Sequence, residues 1–427
     1  MIFSQETIKT RKEQTAKSLE KILEEDEVVL VHSGTPVQKP GGHDQTYYFH
    51  PHPDYYWLTG VRRPSGVSAY SKRTGWVDFV QPITREEKIW EGGGVATEGS
   101  DLSAFDAWFA EKKFSRTHRL GQHSESHWMN PLKDELNVLE TFNSIRRVKD
   151  HEEIELVRKL AHIAGAGYTV LKDFIRPGVT EREIQLAYEG AVLKAGSEKM
   201  PYDTIVGAGT NAAVLHAMPT SRIVKEGDLV LVDGGADIGD YCVDITRVFH
   251  TGKGFSQQQK NIFDIVLKAQ TDSIAMCKPG EQWHNAHLAS ARAIAQGLKD
   301  LGILRTSAEE SVASGAVSVF FPHGVGHMVG LKVRDVGGPY NPYPKSYAGA
   351  RVRVDMEMKE GYLMTFEPGL YFIEALLTDQ ETRAKYKDAV NWEEAMKWLP
   401  VGGVRLEDDV VIKAQGNDNL TGFIPKI

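Results

Sequence analysis

Leu229 to His250 reads LVLVDGGADIGDYCVDITRVFH, two apolar runs of strand character separated by a glycine-rich turn. Each run carries an aspartate. Asp233 and Asp244 stand eleven positions apart, with Gly234, Gly235 and Gly239 between them. Two strands joined by a tight turn bring both carboxylates to one place. An ionised acid inside a strand is costly unless it is paired or bound to a metal. The stretch therefore predicts a sheet and a site together.

The same signature recurs downstream. Glu367 follows Leu363-Met364-Thr365-Phe366 and precedes Pro368-Gly369, and Glu407 lies in VRLEDDVVI. His327 closes the run His323-Gly324-Val325-Gly326-His327, where glycines let backbone approach a site closely. Four gathered carboxylates would repel, and some would have to stay protonated. Two divalent cations resolve this, setting four positive charges against four negative ones. Carboxylates with one imidazole suit hard ions such as manganese. A metal pair about 3.5–4 Å apart would share a hydroxide, polarise a carbonyl and steady a tetrahedral intermediate. Taken singly, an Asp in Asp-Gly-Gly reads as a turn former, Glu-Pro-Gly as a strand end, and Glu-Asp-Asp as a solvated face. The weight rests on all five residues in order.

Around these motifs the chain reads as mixed α/β. Thr180 with Glu183, and Ser256 with Gln259, make capping boxes before apolar residues at helical spacing. TIVGAG, LVLVDGG, DITRVFH, YLMTFEPGLYF and VRLEDDVVI read as strands. Two Pro-Gly-then-helix units, at Pro177-Gly178 and Pro279-Gly280, hint at an internal duplication. Towards the N-terminus, Leu19, Ile22 and Leu23 form a helical stripe, and Glu27 to His32 reads as a buried strand. The aromatic stretch Tyr47 to Pro64 reads as core strand and loop packing. A charged patch, IRRVKDHEEIE from Ile145 to Glu155, marks a boundary between domains at 1–147 and 148–427.

The bulk numbers fit that plan. A chain of 427 residues exceeds what one core usually supports, so two domains are expected. The 41% hydrophobic and 25% charged fractions are those of a soluble globular protein. A net charge of −8 argues against nucleic-acid binding. Cys242 and Cys277 alone make no disulfide framework, which suits a reducing compartment. With no apolar h-region at the start and no apolar run of roughly 18 residues, neither a secretory signal nor a membrane span is predicted. A cytoplasmic location is expected.

The order Asp, Asp, His, Glu, Glu in these contexts resembles the pita-bread metallopeptidases, which include methionine aminopeptidase, aminopeptidase P and prolidase. The matching stretch runs from about Ile145 to the C-terminus through DGGADIGDYCVDITR, HGVGH, TFEPGLYF and GVRLEDDVVI. The resemblance implies a smaller N-terminal α/β domain, serving dimerisation and covering of the site, before a C-terminal pita-bread domain. It implies Asp233, Asp244, His327, Glu367 and Glu407 as ligands of two divalent ions, with manganese first and cobalt, zinc or iron as alternatives. Asp244 and Glu407 would bridge the ions, and Glu367 would accept and donate the proton. A homodimer is the assembly it implies.

Several features resemble the proline-specific branch. His216, in NAAVLHAMP, matches a substrate-site histidine, and His323 the first histidine of the HGxGH loop. Arg353, fourteen positions before Glu367, aligns with the prolidase arginine that grips a dipeptide's carboxylate, a task for a planar guanidinium. Tyr371 and Arg405 match positions that orient the ligands. The insertion between Glu367 and Glu407, beginning YFIEALL, resembles prolidase more than aminopeptidase P.

The chain also departs from the pattern. Val333-Arg334-Asp335 stands where close relatives carry Val-His-Asp. Arg334 offers charge and hydrogen bonds but cannot give up a proton. LHAMPT likewise lacks the tyrosine and asparagine often found after that histidine. The expectation is therefore a prolidase cleaving Xaa-Pro dipeptides. The alternative is aminopeptidase P acting on longer Xaa-Pro peptides. A minor alternative is a non-catalytic pita-bread binding module, disfavoured because all five acidic and histidine ligands are present.

Overall fold

The computed structural model describes residues 2–42, 45–93, 98–121, 135–338 and 344–426. The chain divides into two compact units, Met1–Arg146 and Arg147–Ile427.

In the first unit, the fully apolar core of Glu27–His32 makes it an inner strand. It pairs antiparallel with Val67–Ser71 and parallel with Arg116–Leu120. Gly75–Val80 and the short Ser100–Asp101 extend this to a five-stranded sheet. Phe105, Trp108, Phe109 and Phe114 pack around Phe79 and cover part of one face.

Two expectations for this unit change. The N-terminal helix ends at Leu19, so Leu23 is buried from the following turn while Ile22 is exposed. The aromatic stretch from Tyr47 is not a strand: Pro53–Thr59 is a buried helix carrying Tyr55, Tyr56 and Trp57. Pro53 is the reason. At the first helical position its fixed φ fits and its missing N–H costs nothing, and Gly60 closes the helix in the left-handed region.

The second unit is built on small antiparallel sheets flanked by long helices. Leu229–Asp233 is the middle strand between Ile205–Ala208 and Thr246–His250, with Asp233 opposite Thr246. A tight two-strand hairpin, Asp237–Ile238 with Tyr241–Cys242, fills the turn between the two aspartates. Leu363–Phe366 pairs with Asp408–Ile412, which pairs in turn with Asn417–Asn419. Gly369–Tyr371 pairs with Gly403–Arg405. The predicted strands YLMTFEPGLYF and VRLEDDVVI are thus each broken in two, at Glu367-Pro368 and at Leu406-Glu407. Proline has no N–H for a ladder, and each break leaves its glutamate at a strand end. A single bridge between Thr246 and Glu407 joins the two halves of this framework.

Both predicted capping boxes form, with Thr180 starting Glu181–Lys194 and Ser256 starting Gln257–Ala275. A third, Asp150 with Glu153, starts His151–Phe174. Gln257–Ala275 and Trp283–Asp300 lie over the sheet, and Trp283 meets Phe366 with ring centroids 5.2 Å apart. That contact carries the core up to the residue before Glu367. No helix among the described residues is long and apolar enough to cross a membrane.

Candidate metal centre

The strand ends deliver the acids to one place. Asp233 is the last residue of its strand, and Asp244 lies two residues before Thr246 begins the next. Their side chains meet at Tyr202, whose hydroxyl is 2.9 Å from Asp233 Oδ1 and 2.6 Å from Asp244 Oδ1. Glu407 is fixed opposite Thr246, which donates to Glu407 Oε2 at 2.7 Å. The glycines of His323–His327 matter at Gly326, where a Cβ would collide with the Thr365 carbonyl oxygen. Backbone bonds from Thr365 N to His327 O (2.8 Å) and from Glu367 N to Val325 O (2.7 Å) clamp this loop beside the strand carrying Glu367.

Asp244, His327 and Glu407 each offer a ligand atom, all within 4.8 Å of one another and all buried. Glu367 Oε1 lies 3.7 Å and Asp244 Oδ2 3.5 Å from His327 Nε2. His327 Nδ1 sits 3.0 Å from the Met328 carbonyl oxygen. Nδ1 must therefore carry the hydrogen, an assignment made from this geometry. Nε2 is left as a bare lone pair. Burial lowers the His327 pKa to about 4, against a smaller raising effect of the Met328 carbonyl. The ring is thus neutral near pH 7, and its lone pair faces carboxylate oxygens, acceptor against acceptor.

The acids record the same conflict. Burial first, then the Asp233 charge, pushes the Asp244 pKa well above the usual carboxylate range. Burial and the charges of Asp244 and Glu367 do the same to Glu407. Burial raises Glu367 to about 7 although Arg405 and Arg353 oppose it. Lone pair and acids are reconciled by a cation between them, so the donor set fits a divalent metal with oxygen and imidazole ligands.

Asp233 is held differently. Arg405 Nη2 donates to its Oδ2 at 2.6 Å. Tyr202 has one hydrogen for two carboxylates, so its hydroxyl donates to Asp244 or to Asp233 but not to both at once. Arg405 also donates from Nε to Thr246 Oγ1 (3.2 Å) and from Nη1 to the Tyr371 hydroxyl (3.1 Å). Tyr371 in turn lies 2.9 Å from His323 Nε2. One continuous network therefore links Asp233, Arg405, Thr246, Glu407, Tyr371 and His323.

His323 Nδ1 is 2.8 Å from the Gly324 carbonyl, so it carries the hydrogen and Nε2 accepts from Tyr371. Both ring nitrogens are occupied within the protein, and a direct bond to substrate requires the Tyr371 contact to open. Burial, followed by the Arg405 charge, lowers the His323 pKa to about 3. His216 is exposed, between exposed Val214 and Met218. Desolvation and the charges of Arg334 and Arg405 lower its pKa. Arg353 follows the bridge between Arg351 and His323, which brings its backbone to the HGVGH loop.

Three supporting residues lay outside the sequence reading. Tyr202 lies two residues before the predicted strand TIVGAG and Thr246 inside DITRVFH, and neither position carries a polar signal in the local pattern. Asp409 accepts the Asp244 backbone N–H at 3.0 Å beneath the centre. In Glu407-Asp408-Asp409 all three acids are buried, against the solvated-face alternative for that triplet.

Known proteins match along the whole chain. The pattern of Metallopeptidase family M24 matches residues 155–414, and that of the aminopeptidase P N-terminal domain matches residues 8–117. A probable Xaa-Pro aminopeptidase pepP of Talaromyces marneffei is 31% identical over 393 residues, 86% of this chain and 84% of that protein. Its counterpart in Aspergillus niger is 32% identical over 409 residues, 88% and 86% of the two chains. The solved aminopeptidase PepP of Pseudomonas aeruginosa superposes with a TM-score of 0.79 at 26% identity, covering 98% of this chain and 96% of that one. Aminopeptidase P from Escherichia coli, solved with the inhibitor Pro-Leu, shares the fold with a TM-score of 0.80 at 23% identity, covering 100% and 96%. Like these neighbours, the chain has an N-terminal domain followed by a pita-bread domain. The chain belongs to the M24 metallopeptidases, the pita-bread family of hydrolases.

Proposed function

We propose that this enzyme is an Xaa-Pro aminopeptidase, releasing the N-terminal residue from peptides whose second residue is proline. The observation that carries the reading is the likeness to Xaa-Pro aminopeptidases over both domains, combined with a buried acid–histidine centre of matching chemistry. The dipeptidase expectation drawn from Arg353 and the insertion after Glu367 takes second place, because the relatives carry the aminopeptidase name.

Asp233, Asp244, His327, Glu367 and Glu407 would hold two divalent ions, with manganese first among the candidates. When bound, such ions supply Lewis-acid activation of the scissile carbonyl and of the attacking water. The chain's own residues do the rest. Glu367, whose Oε1 lies 3.7 Å from His327 Nε2, would take a proton from the water and return it to the proline nitrogen. Tyr202 and Thr246 fix the carboxylate rotamers. Arg405 holds Asp233 and, through Tyr371, keeps His323 in one tautomer. His216 at the open edge would donate to the substrate, and Arg353 would meet an anionic group beyond the proline.

The test is product analysis with manganese-loaded and metal-stripped enzyme on an Xaa-Pro-Yaa tripeptide and an Xaa-Pro dipeptide. Metal-dependent release of Xaa, with the tripeptide preferred, is expected. Cleavage confined to the dipeptide would return the assignment to prolidase, and cleavage of neither would overturn both.

A further inference from the structure

Glu181 is a buried acid that the metal centre does not use. It opens the helix Glu181–Lys194 and is 0% exposed. A carboxylate at that depth is costly unless its oxygens are satisfied, and here four neutral donors satisfy them. Oε1 accepts from the Ala208 N–H and from Asn211 Nδ2, both at 2.9 Å. Oε2 accepts from the Thr220 N–H at 3.1 Å and from Thr220 Oγ1 at 2.5 Å. The start of a helix also favours negative charge.

These donors lie on the two stems of one loop. Ala208 ends the strand Ile205–Ala208, and Asn211 lies in the 3-10 turn Gly209–Ala213 that leaves it. Thr220 is on the returning stem, where its carbonyl accepts from the Arg182 N–H at 3.0 Å. Between the stems run Val214 to Pro219, with His216 exposed among them. Each carboxylate oxygen holds one stem, so a single side chain closes the loop.

The closure is tied to the metal centre at three places. Tyr188 follows Glu181 two turns further along the same helix face, and its hydroxyl donates to the Gly235 carbonyl at 3.2 Å. Its ring leaves no room for a Cβ at Gly234, so the helix is docked on the turn after Asp233. Ile205 stands opposite Asp233 in the ladder, and the next residue, Val206, donates its N–H to the Ala217 carbonyl at 3.3 Å. A Cβ on Gly402 or Gly403 would strike the Gly209 or Ala212 carbonyl oxygen, so the outgoing stem lies against the strand that ends in Arg405.

Resting on the peptidase reading above, we propose that Glu181 is a positioning residue of the reaction. Its carboxylate closes the 208–220 loop and thereby fixes where His216 meets the substrate. Glutamine at this position keeps the size of the side chain but turns one oxygen into a donor. That nitrogen faces the N–H of one stem, donor against donor, and the stem is released.

The experiment is a cycle on the manganese-loaded full chain cleaving Ala-Pro-Ala, with wild type, Glu181→Gln, His216→Ala and the double variant. Glu181→Gln is expected to lower kcat/KM about tenfold in wild type and less than about twofold in the His216→Ala background. Its loss of Tm should be the same in both backgrounds, and manganese content should stay at the wild-type level. Equal kcat/KM losses in both backgrounds, lost manganese, or a His216→Ala enzyme as active as wild type would each overturn the proposal. If Glu181→Gln does not fold, Thr220→Val takes its place in the cycle. It removes one hydroxyl from an exposed residue, and a loss of about threefold, again confined to the chain that keeps His216, is expected. Hydrogen exchange over 209–222 reads the loop without cleavage and should quicken in whichever variant is used; unchanged exchange overturns the closure. An enzyme that cleaves no Xaa-Pro peptide yet shows the quickened exchange refutes the peptidase reading alone.

Discussion

Replacing Arg247 with methionine tests the support beneath the centre. Arg247 is 1% exposed and spends every donor inside the protein. Nη2 reaches Asp408 Oδ1 at 2.7 Å and the Thr421 carbonyl at 3.0 Å. Nη1 reaches the Glu407 and Thr246 carbonyls at 2.7 and 3.0 Å, and Nε reaches Ile424 O at 3.2 Å. Burial alone would raise the Asp408 pKa, but Arg247 and Lys426 hold it well below the usual range, so it is ionised. Methionine fills a similar volume while leaving that buried carboxylate with Lys426 as its charged partner, beside the neutral donors Asn419 and Thr421, and several carbonyls unpaired. Breaking one side of a buried pair costs about 3–5 kcal/mol. For a unit of roughly 280 residues the unfolding entropy is about 0.6 kcal/mol/K, so Tm should fall by about 5–8 °C. Thermal and urea unfolding of Arg247→Met, Asp408→Ala and the double variant form a cycle. A coupling of at least about 2 kcal/mol is expected. Additive losses, or a cost below about 1 kcal/mol for Arg247→Met, would refute the claim that this network anchors Glu407.

Tyr202→Phe removes the hydroxyl shared by Asp233 and Asp244, and metal affinity by chelator competition should weaken about 10–100-fold with the fold retained. Glu367→Gln should lower kcat by about 10²–10⁴ through loss of the proton carrier, measured at saturating substrate. His287 is fully buried, its Nε2–H donates to the Tyr347 carbonyl at 3.1 Å, and burial lowers its pKa to about 4. The native state then binds fewer protons than the unfolded state, so stability is present above the unfolded pKa of about 6.5 and is lost as pH falls through 4. The loss approaches about 3 kcal/mol, and urea melts from pH 7 to 4 should show a shallower fall in His287→Phe than in wild type.

The parts legible in the sequence share a cause: each shows in local pattern. Capping boxes at Thr180 and Ser256 and the apolar run Leu229–Val232 act over a few residues, so their elements stand where the pattern puts them. The aspartates and glutamates stood out because acids are rare in such runs. The breaks at Pro368 and Leu406 were less visible, since they depend on which strands pair across about 40 residues of intervening chain. Tyr202 and Thr246 were silent for a related reason, because a hydroxyl declares itself only by what it touches in space. Pro53 carried a readable signal, proline at the start of a helix, which the surrounding aromatic run masked.

The metal content of the full chain after equilibration with manganese and removal of free ion tests the central claim most directly. Elemental analysis should find about two ions per chain in wild type and a marked loss in Glu407→Gln, whose carboxylate lies within the Asp244–His327 group. Less than one ion in wild type, or an unchanged content in Glu407→Gln, would contradict the account.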